Sequence, residues 1–165
     1  MKITFISYSP KYNSGGIISM LKGIPDILSP DLLKVLAEMG HGDTIVISDG
    51  NFPSASMGKN GVVIRCDGHG GPEILDAVLS LLPLDTFVEK PVTLIKVLPG
   101  QEVETPIWDT YEGIIAKYDE RGKDAIQFLE RFDFYEESKK AYAIIATSEK
   151  ALYACMILKK GVIKS

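Results

Sequence analysis

The sequence predicts an α/β fold: a single layered domain with a mixed, largely parallel sheet flanked by helices. Three observations carry this. Short apolar, β-branched runs alternate along the chain with longer segments whose apolar residues recur at helical spacing. The 165 residues suit one domain with a full hydrophobic core, and no linker or internal repeat divides them. At 45% hydrophobic and 24% charged, the composition is that of a packed globular chain and excludes disorder and low complexity.

The elements follow in order. Lys2 to Tyr8 reads as a short strand or a tail, and Ser9 to Gly16 is turn-rich. Residues 1–19 are therefore expected to be an extension, with the domain proper over 20–165. Ser29-Pro30-Asp31 is a helix start: a capping hydroxyl, a proline suited to the first helical position, and an acid facing the positive end of the helix. Leu32, Leu33, Leu36 and Met39 supply its apolar face, and Gly40 is expected to close it. Thr44 to Ser48, TIVIS, is a buried strand. Val62 to Arg65 is a second strand, Pro72 to Leu82 a second helix, Thr93 to Val97 a third strand and Trp108 to Tyr118 a third helix. A short strand is expected at Ile126 to Leu129, a helix at Phe134 to Lys140, a central strand at Ala141 to Thr147 and a last strand at Tyr153 to Leu158.

The bulk properties narrow the function. A formal charge of −4 argues against a nucleic-acid surface, which needs clustered Lys and Arg. Lys159, Lys160 and Lys164 read as a solvated end rather than a phosphate grip. The two cysteines, Cys66 and Cys155, form no Cys-x-x-Cys pattern, so neither a disulfide framework nor a zinc ribbon is expected. Free thiols point to a reducing cytoplasm. No apolar run approaches the roughly 18 residues of a membrane span. The N-terminal run is broken at Ser7 and has no cleavage site of a signal peptide.

The densest candidate chemistry lies in EMGHGDTIVISDGNFP, Glu38 to Pro53. His41, one of two histidines, sits between glycines just before the TIVIS strand, and Asp49 follows that strand. Five extended residues span about 17 Å. The two side chains meet only if the Gly40-His41-Gly42 loop folds back or if a neighbouring chain supplies one of them. The alternative is a plain helix-end histidine, with Asp43 as a turn former. The other histidine, His69, lies in RCDGHGGPE. Glycine-rich backbone before a helix is one form of anion cradle, but the spacing is neither a P-loop nor G-x-G-x-x-G and fits a strand-to-helix turn. His41, Asp49, Asp67 and His69 lack metal-ligand spacing, so no metal site is expected. Between Glu130 and Gly161, Arg131, Tyr135 and Tyr153 stand near strand boundaries. Aromatic faces beside acids and an arginine suit a polyhydroxylated ligand, though tyrosines are also common half-buried core residues.

Taken together, several stretches resemble the D-ribose pyranase / L-fucose mutarotase family: LLKVLAEMGHGDTIVISDGNFP, IRCDG against a family IRADG, LLPLDTFVE, TPIWDTYEGI, ERFDFYE, KKAYAIIATSEKALY and ILKKGV. The resemblance is collinear from about Met20 to Val162. The G-H-G-D and N-F-P signatures favour the fucose branch, since the ribose branch has a threonine after the histidine. The resemblance implies interconversion of the α and β anomers of L-fucose or a related monosaccharide without cofactor. It also implies a ring-shaped homo-oligomer, a decamer or octamer, with the site near a subunit boundary. Carried over by position, it makes His41 the proton donor and Asp49, Asp85, Arg131, Tyr135 and Tyr153 sugar contacts. Cys155 joins them by position, standing where the family has the Asn of Tyr-Gly-Asn, so a strong amide hydrogen bond is lost there. Two other functions share such a pocket: pyranose–furanose interconversion of D-ribose and non-catalytic sugar binding.

Overall fold

Helix α1, Pro30–Glu38, begins as its residues dictate: Ser29 accepts the Leu32 amide at 3.2 Å and Pro30 holds the first helical position. The structure, a computed structural model, describes residues 21–163; the expected tail over 1–19 lies outside them. Gly40 does not close α1. Met39 turns extended, the Asp43 carboxylate takes the Gly40 amide, and Gly42, at φ 87°, makes the turn. The Lys160 ammonium caps the end of the helix by donating to the carbonyls of Leu36 and Met39.

The remaining elements are β1 (Thr44–Ser48), α2 (Ser54–Met57), β2 (Val62–Cys66), α3 (Gly71–Leu79), β3 (Val92–Ile95), α4 (Pro106–Tyr118), a 3-10 turn at Gly122–Ala125, β4 (Ile126–Leu129), α5 (Arg131–Ser138), β5 (Ala143–Thr147) and β6 (Met156–Lys159). The six strands form one sheet in the order β2-β5-β1-β6-β3-β4. All neighbouring pairs are parallel except those made by β6, which runs antiparallel to both β1 and β3. The expected mixed, largely parallel α/β sheet is therefore what the chain forms. Central β1 and β5 are buried almost throughout, which is why they read as unbroken apolar runs instead of alternating ones.

Side chains alternate across the sheet. Ile45, Ile47, Ala143, Ile145, Leu94 and Met156 pack into the larger core together with α1, α3 and α4. Val46, Ile95, Ile144, Cys155 and Ile157 face a smaller core closed by Phe134 of α5 and by Phe52 and Met57 around α2. This second face is incompletely covered. Beside α5 lies a cavity of about 530 Å³, lined by Thr44, Thr93, Gln127, Glu137 and Lys159 among others.

Three expectations are corrected. The last strand starts at Met156, not Tyr153, because Tyr153 adopts a left-handed conformation at φ 56° and turns the chain. Helix α5 starts three residues early, on Arg131, with Glu130 at the cap making no side-chain capping bond. Helix α2 and the 3-10 turn, four residues each, were not expected.

Candidate functional site

The sequence-predicted residues fall into two groups at opposite ends of β1. At the first end, His41 Nε2 lies 3.2 Å from Asp85 Oδ1, 44 residues away in sequence. Asp85 is buried, only 2% exposed, and its Oδ1 also accepts the Phe87 amide at 2.9 Å. Burial alone would raise its pKa. The Phe87 amide, the His41 ring and the charge of Lys159 outweigh that and hold Asp85 below the usual carboxylate range. An ionised carboxylate only accepts, so the proton between the two belongs to His41 Nε2 and the Nδ1 lone pair is the one left for chemistry. The Phe87 ring leans on the imidazole, centroids 5.1 Å apart.

The loop that carries His41 is fixed from below. The Gly42 amide donates to the Lys160 carbonyl at 2.9 Å, and the Lys160 amide donates back to Asp43 at 2.8 Å. It does not fold back along β1. The Asp85 loop is joined to the same strand end, with the Asp85 amide on the Lys159 carbonyl at 3.0 Å.

At the far end, Asp49 is largely buried. Its Oδ1 accepts the Asn51 amide at 2.9 Å, and its own amide donates to Cys155 Sγ at 3.3 Å. Cys155 is therefore a buried neighbour beneath Asp49, and burial pushes its thiol well above the ordinary range. Tyr135 stands edge-on to Phe52 at 5.4 Å. Its hydroxyl pKa is raised by burial first, then by the nearby Cys155 and Asp49, with Arg131 opposing. The Arg131 guanidinium rides over the exposed Phe132 ring at 5.0 Å, while its Nε is buried with no hydrogen-bond partner among the described residues. Tyr153 donates its hydroxyl to Gln101 and accepts the Leu98 amide at 3.4 Å.

So the structure brings His41 to Asp85, and separately gathers Asp49, Arg131, Tyr135, Tyr153 and Cys155. It does not bring the two groups together within one chain, because extended β1 stands between them. None of the seven residues lines the cavity beside α5. The second group obeys the rule that open α/β sheets present ligand sites beyond the carboxyl ends of their parallel strands. The first group sits at the amino ends.

The glycine-rich stretch before α3 is filled from within. Glu73 accepts the Gly70 amide at 2.7 Å and Glu149 accepts the Gly71 amide at 3.0 Å. Asp67 pairs with Arg65 at 2.6 Å, and His69 pairs with Glu73 at 3.3 Å.

Several residues that serve the site escaped the sequence reading. Trp108 Nε1 donates to the Tyr153 carbonyl at 2.9 Å, and the Tyr111 hydroxyl donates to the Ala154 carbonyl at 3.0 Å. Three apart on α4, they share one face and hold the left-handed Tyr153 turn. Glu149 accepts the Gly50 amide through its carbonyl at 2.8 Å, which pins the Asp49 turn to the end of β5. The only local signal was the helical spacing of Trp108 and Tyr111; their targets lie more than 40 residues on.

The model of the RbsD / FucU transport protein family matches residues 22–163. A fucose mutarotase of Mus musculus is 52% identical over 145 residues, covering 86% of this chain and 94% of the mouse protein. The crystal structure of FucU from Bifidobacterium longum shares 62% identity with a TM-score of 0.86, over 87% of this chain and 100% of that one. The crystal structure of the fucose mutarotase from Streptococcus pneumoniae in complex with L-fucose shares 51% identity with a TM-score of 0.80, again over 87% and 100%.

Proposed function

The chain belongs to the RbsD / FucU transport protein family, and from that premise we propose that it is an isomerase interconverting the α and β anomers of L-fucose. Relatives about half identical over nearly their whole length are fucose mutarotases. One observation in this chain carries the chemistry: an imidazole in a glycine-flanked loop, held at Nε2 by a buried carboxylate.

Mutarotation opens the pyranose and recloses it on the other face. The anomeric hydroxyl gives up its proton, the bond from the anomeric carbon to the ring oxygen breaks, and the ring oxygen takes a proton. After rotation about the C1–C2 bond, the reverse steps give the other anomer. His41 shuttles the proton at Nδ1, and Asp85 fixes the ring and steadies its cationic form. A histidine is suited to give and take protons near neutrality, and such help supplies about 10²- to 10⁴-fold. That magnitude is enough for a reaction that already proceeds in water.

In this reading the sugar's hydroxyls are held by Asp49, Arg131, Tyr135 and Tyr153, with Cys155 supporting Asp49 from beneath. In the same reading these residues come from the next copy of the chain in a ring-shaped homo-oligomer, which the gap along β1 supports. Two features support shared sites: Phe87 beside His41 and Phe132 beside Arg131 are each 70% exposed. No helix among the described residues is long and apolar enough to cross a membrane. The buried free thiols suit the reducing cytoplasm.

Saturation-transfer NMR on L-fucose tests the proposal. The protein should speed magnetisation transfer between the two anomeric resonances. Line broadening without faster transfer would make it a sugar-binding protein. Faster pyranose–furanose exchange of D-ribose, with none on fucose, would move it to the ribose branch.

A further inference from the structure

Between Asp85 and Glu89 the chain crosses the open edge of the His41 site without regular structure, yet its backbone carbonyls are gathered onto one side chain. Arg121 donates from Nη2 to the Asp85 carbonyl at 3.1 Å, and from Nη1 to the carbonyls of Val88 at 2.8 Å and Glu89 at 3.3 Å. The guanidinium is itself held by Asp119 in a fork, Nε to Oδ1 at 2.9 Å and Nη2 to Oδ2 at 2.6 Å. The Asp119 end is mostly buried and the arginine largely so. Lys90 continues the fastening by donating to the carbonyls of Asp124 and Ile126 at 3.3 and 3.1 Å.

Only an arginine meets these demands together. Three carbonyls and a carboxylate need donors in a planar, rigid array, which a lysine ammonium does not offer. The fork also has a direction. It holds the carbonyl side of Asp85, while the Lys159 carbonyl holds its amide. With both peptide groups fixed, the direction in which the Asp85 side chain leaves the backbone is set, and the Phe87 amide holds its Oδ1 beside His41. No atom of Arg121 bonds His41, so its influence passes through the loop.

We infer that Arg121 is a positioning residue for His41, acting through the Asp85–Glu89 loop, with Asp119 aligning the guanidinium. Its catalytic consequence rests on the mutarotase reading above; its structural consequence does not.

The test uses the full chain with labelled histidine, in wild type, Arg121→Met, Arg121→Lys, Asp119→Asn and Asp85→Asn. His41 and His69 each give one imidazole Cε1–H cross-peak, assigned with His69→Gln. At one fixed pH, wild type and Asp85→Asn mark the His41 peak with the carboxylate charge present and removed. Arg121→Met should move the His41 peak along that line by more than half its length, with Arg121→Lys between and His69 unmoved. For fucose exchange, kcat should fall roughly tenfold and KM change less than about twofold, as expected when a group is misplaced but the sugar grip is intact. A folded Arg121→Met with its His41 peak at the wild-type position overturns the inference. If that variant fails to fold, Arg121→Lys and Asp119→Asn decide by the same peak. A wild type that does not accelerate exchange defeats the mutarotase reading alone, and the peak positions still judge Arg121.

Discussion

The two ends of β1 are built to different standards of completeness. At the His41 end, the loop backbone, the imidazole and the buried carboxylate have their partners within the chain, and Arg121 and Lys160 fasten the two loops from behind. At the Asp49 end, the scaffold is tied down by Trp108, Tyr111 and Glu149, and Asp49 and Tyr153 find partners in the chain, but the buried Arg131 Nε has none among the described residues. The difference follows the chemistry proposed for each end. A proton shuttle needs its geometry fixed before the substrate arrives. A group that grips a sugar keeps its hydrogen-bonding capacity for the sugar, at a cost to the stability of the empty chain.

The sharpest way to break this comparison is at His41. His41→Ala should lower fucose anomer exchange by about 10²- to 10⁴-fold and leave the fold intact, since the ring is half exposed in a loop. Exchange at the wild-type rate in the folded variant would place proton transfer elsewhere.

If the two ends meet across copies, then His41→Ala and Arg131→Met chains, each impaired alone, should restore activity when co-expressed. Random mixing in a ring with head-to-tail contacts leaves about a quarter of the sites with both ends intact. Light scattering on the same sample should show an oligomer. A fully active monomer, or mixed rings with no recovery, would mean that the ends do not share a site.

Arg131→Met alone should raise KM for fucose by about ten- to a hundredfold, the range of a lost hydrogen bond to a charged group. The same variant should be as stable as wild type or more so, because it removes an unpaired buried donor. Denaturant titration beside exchange kinetics checks both halves, and a loss of stability would show that the arginine is structural.

Tyr111→Phe should do the reverse. The Ala154 carbonyl would lose its donor in a buried setting, at about 1–3 kcal/mol measured by urea unfolding. The effect on exchange should be secondary, through the Tyr153 turn. An unchanged midpoint would remove Tyr111 from the support of that turn.

The smallest effect expected is one of pH. Asp85 titrates below its unfolded value of about 4. It therefore contributes stability above that pH, and the contribution is lost as pH falls through the lower folded value. Asp85→Asn should show a flatter melting-temperature profile below about pH 4. A profile parallel to wild type would indicate that the acid side of the stability curve is set by other carboxylates.

What the sequence disclosed, and what it hid, follows the reach of the interactions involved. β1 and β4 are set by residues inside them, and their spans matched; β2 was one residue short at its last end. The helix start at Ser29-Pro30-Asp31 was legible because a hydroxyl cap, a proline and an acid act on their own neighbours. The turn at Tyr153 was not, because a left-handed tyrosine has no local cause; two hydrogen bonds from α4 impose it. The start of α5 was missed for a related reason: Glu130 makes no capping bond that would announce it. The His41–Asp85 contact and the Arg121 fork span 44 and 32 to 36 residues, beyond the reach of any periodicity. Asp85 came from family resemblance alone, and Arg121 came from neither source.

The reversed strand β6 carries one further consequence. Because it runs against its neighbours, Lys160 just past its end underpins the His41 loop while the thiol just before its start underpins Asp49. Four residues thus act as a strut whose length sets the spacing between the two ends. Substitutions that keep its apolar faces should be absorbed locally. An insertion of one residue would reverse every side chain beyond it, and an insertion of two would displace one end by about 7 Å with the faces preserved. For anyone re-engineering this chain, β6 is open to changes in composition and closed to changes in length.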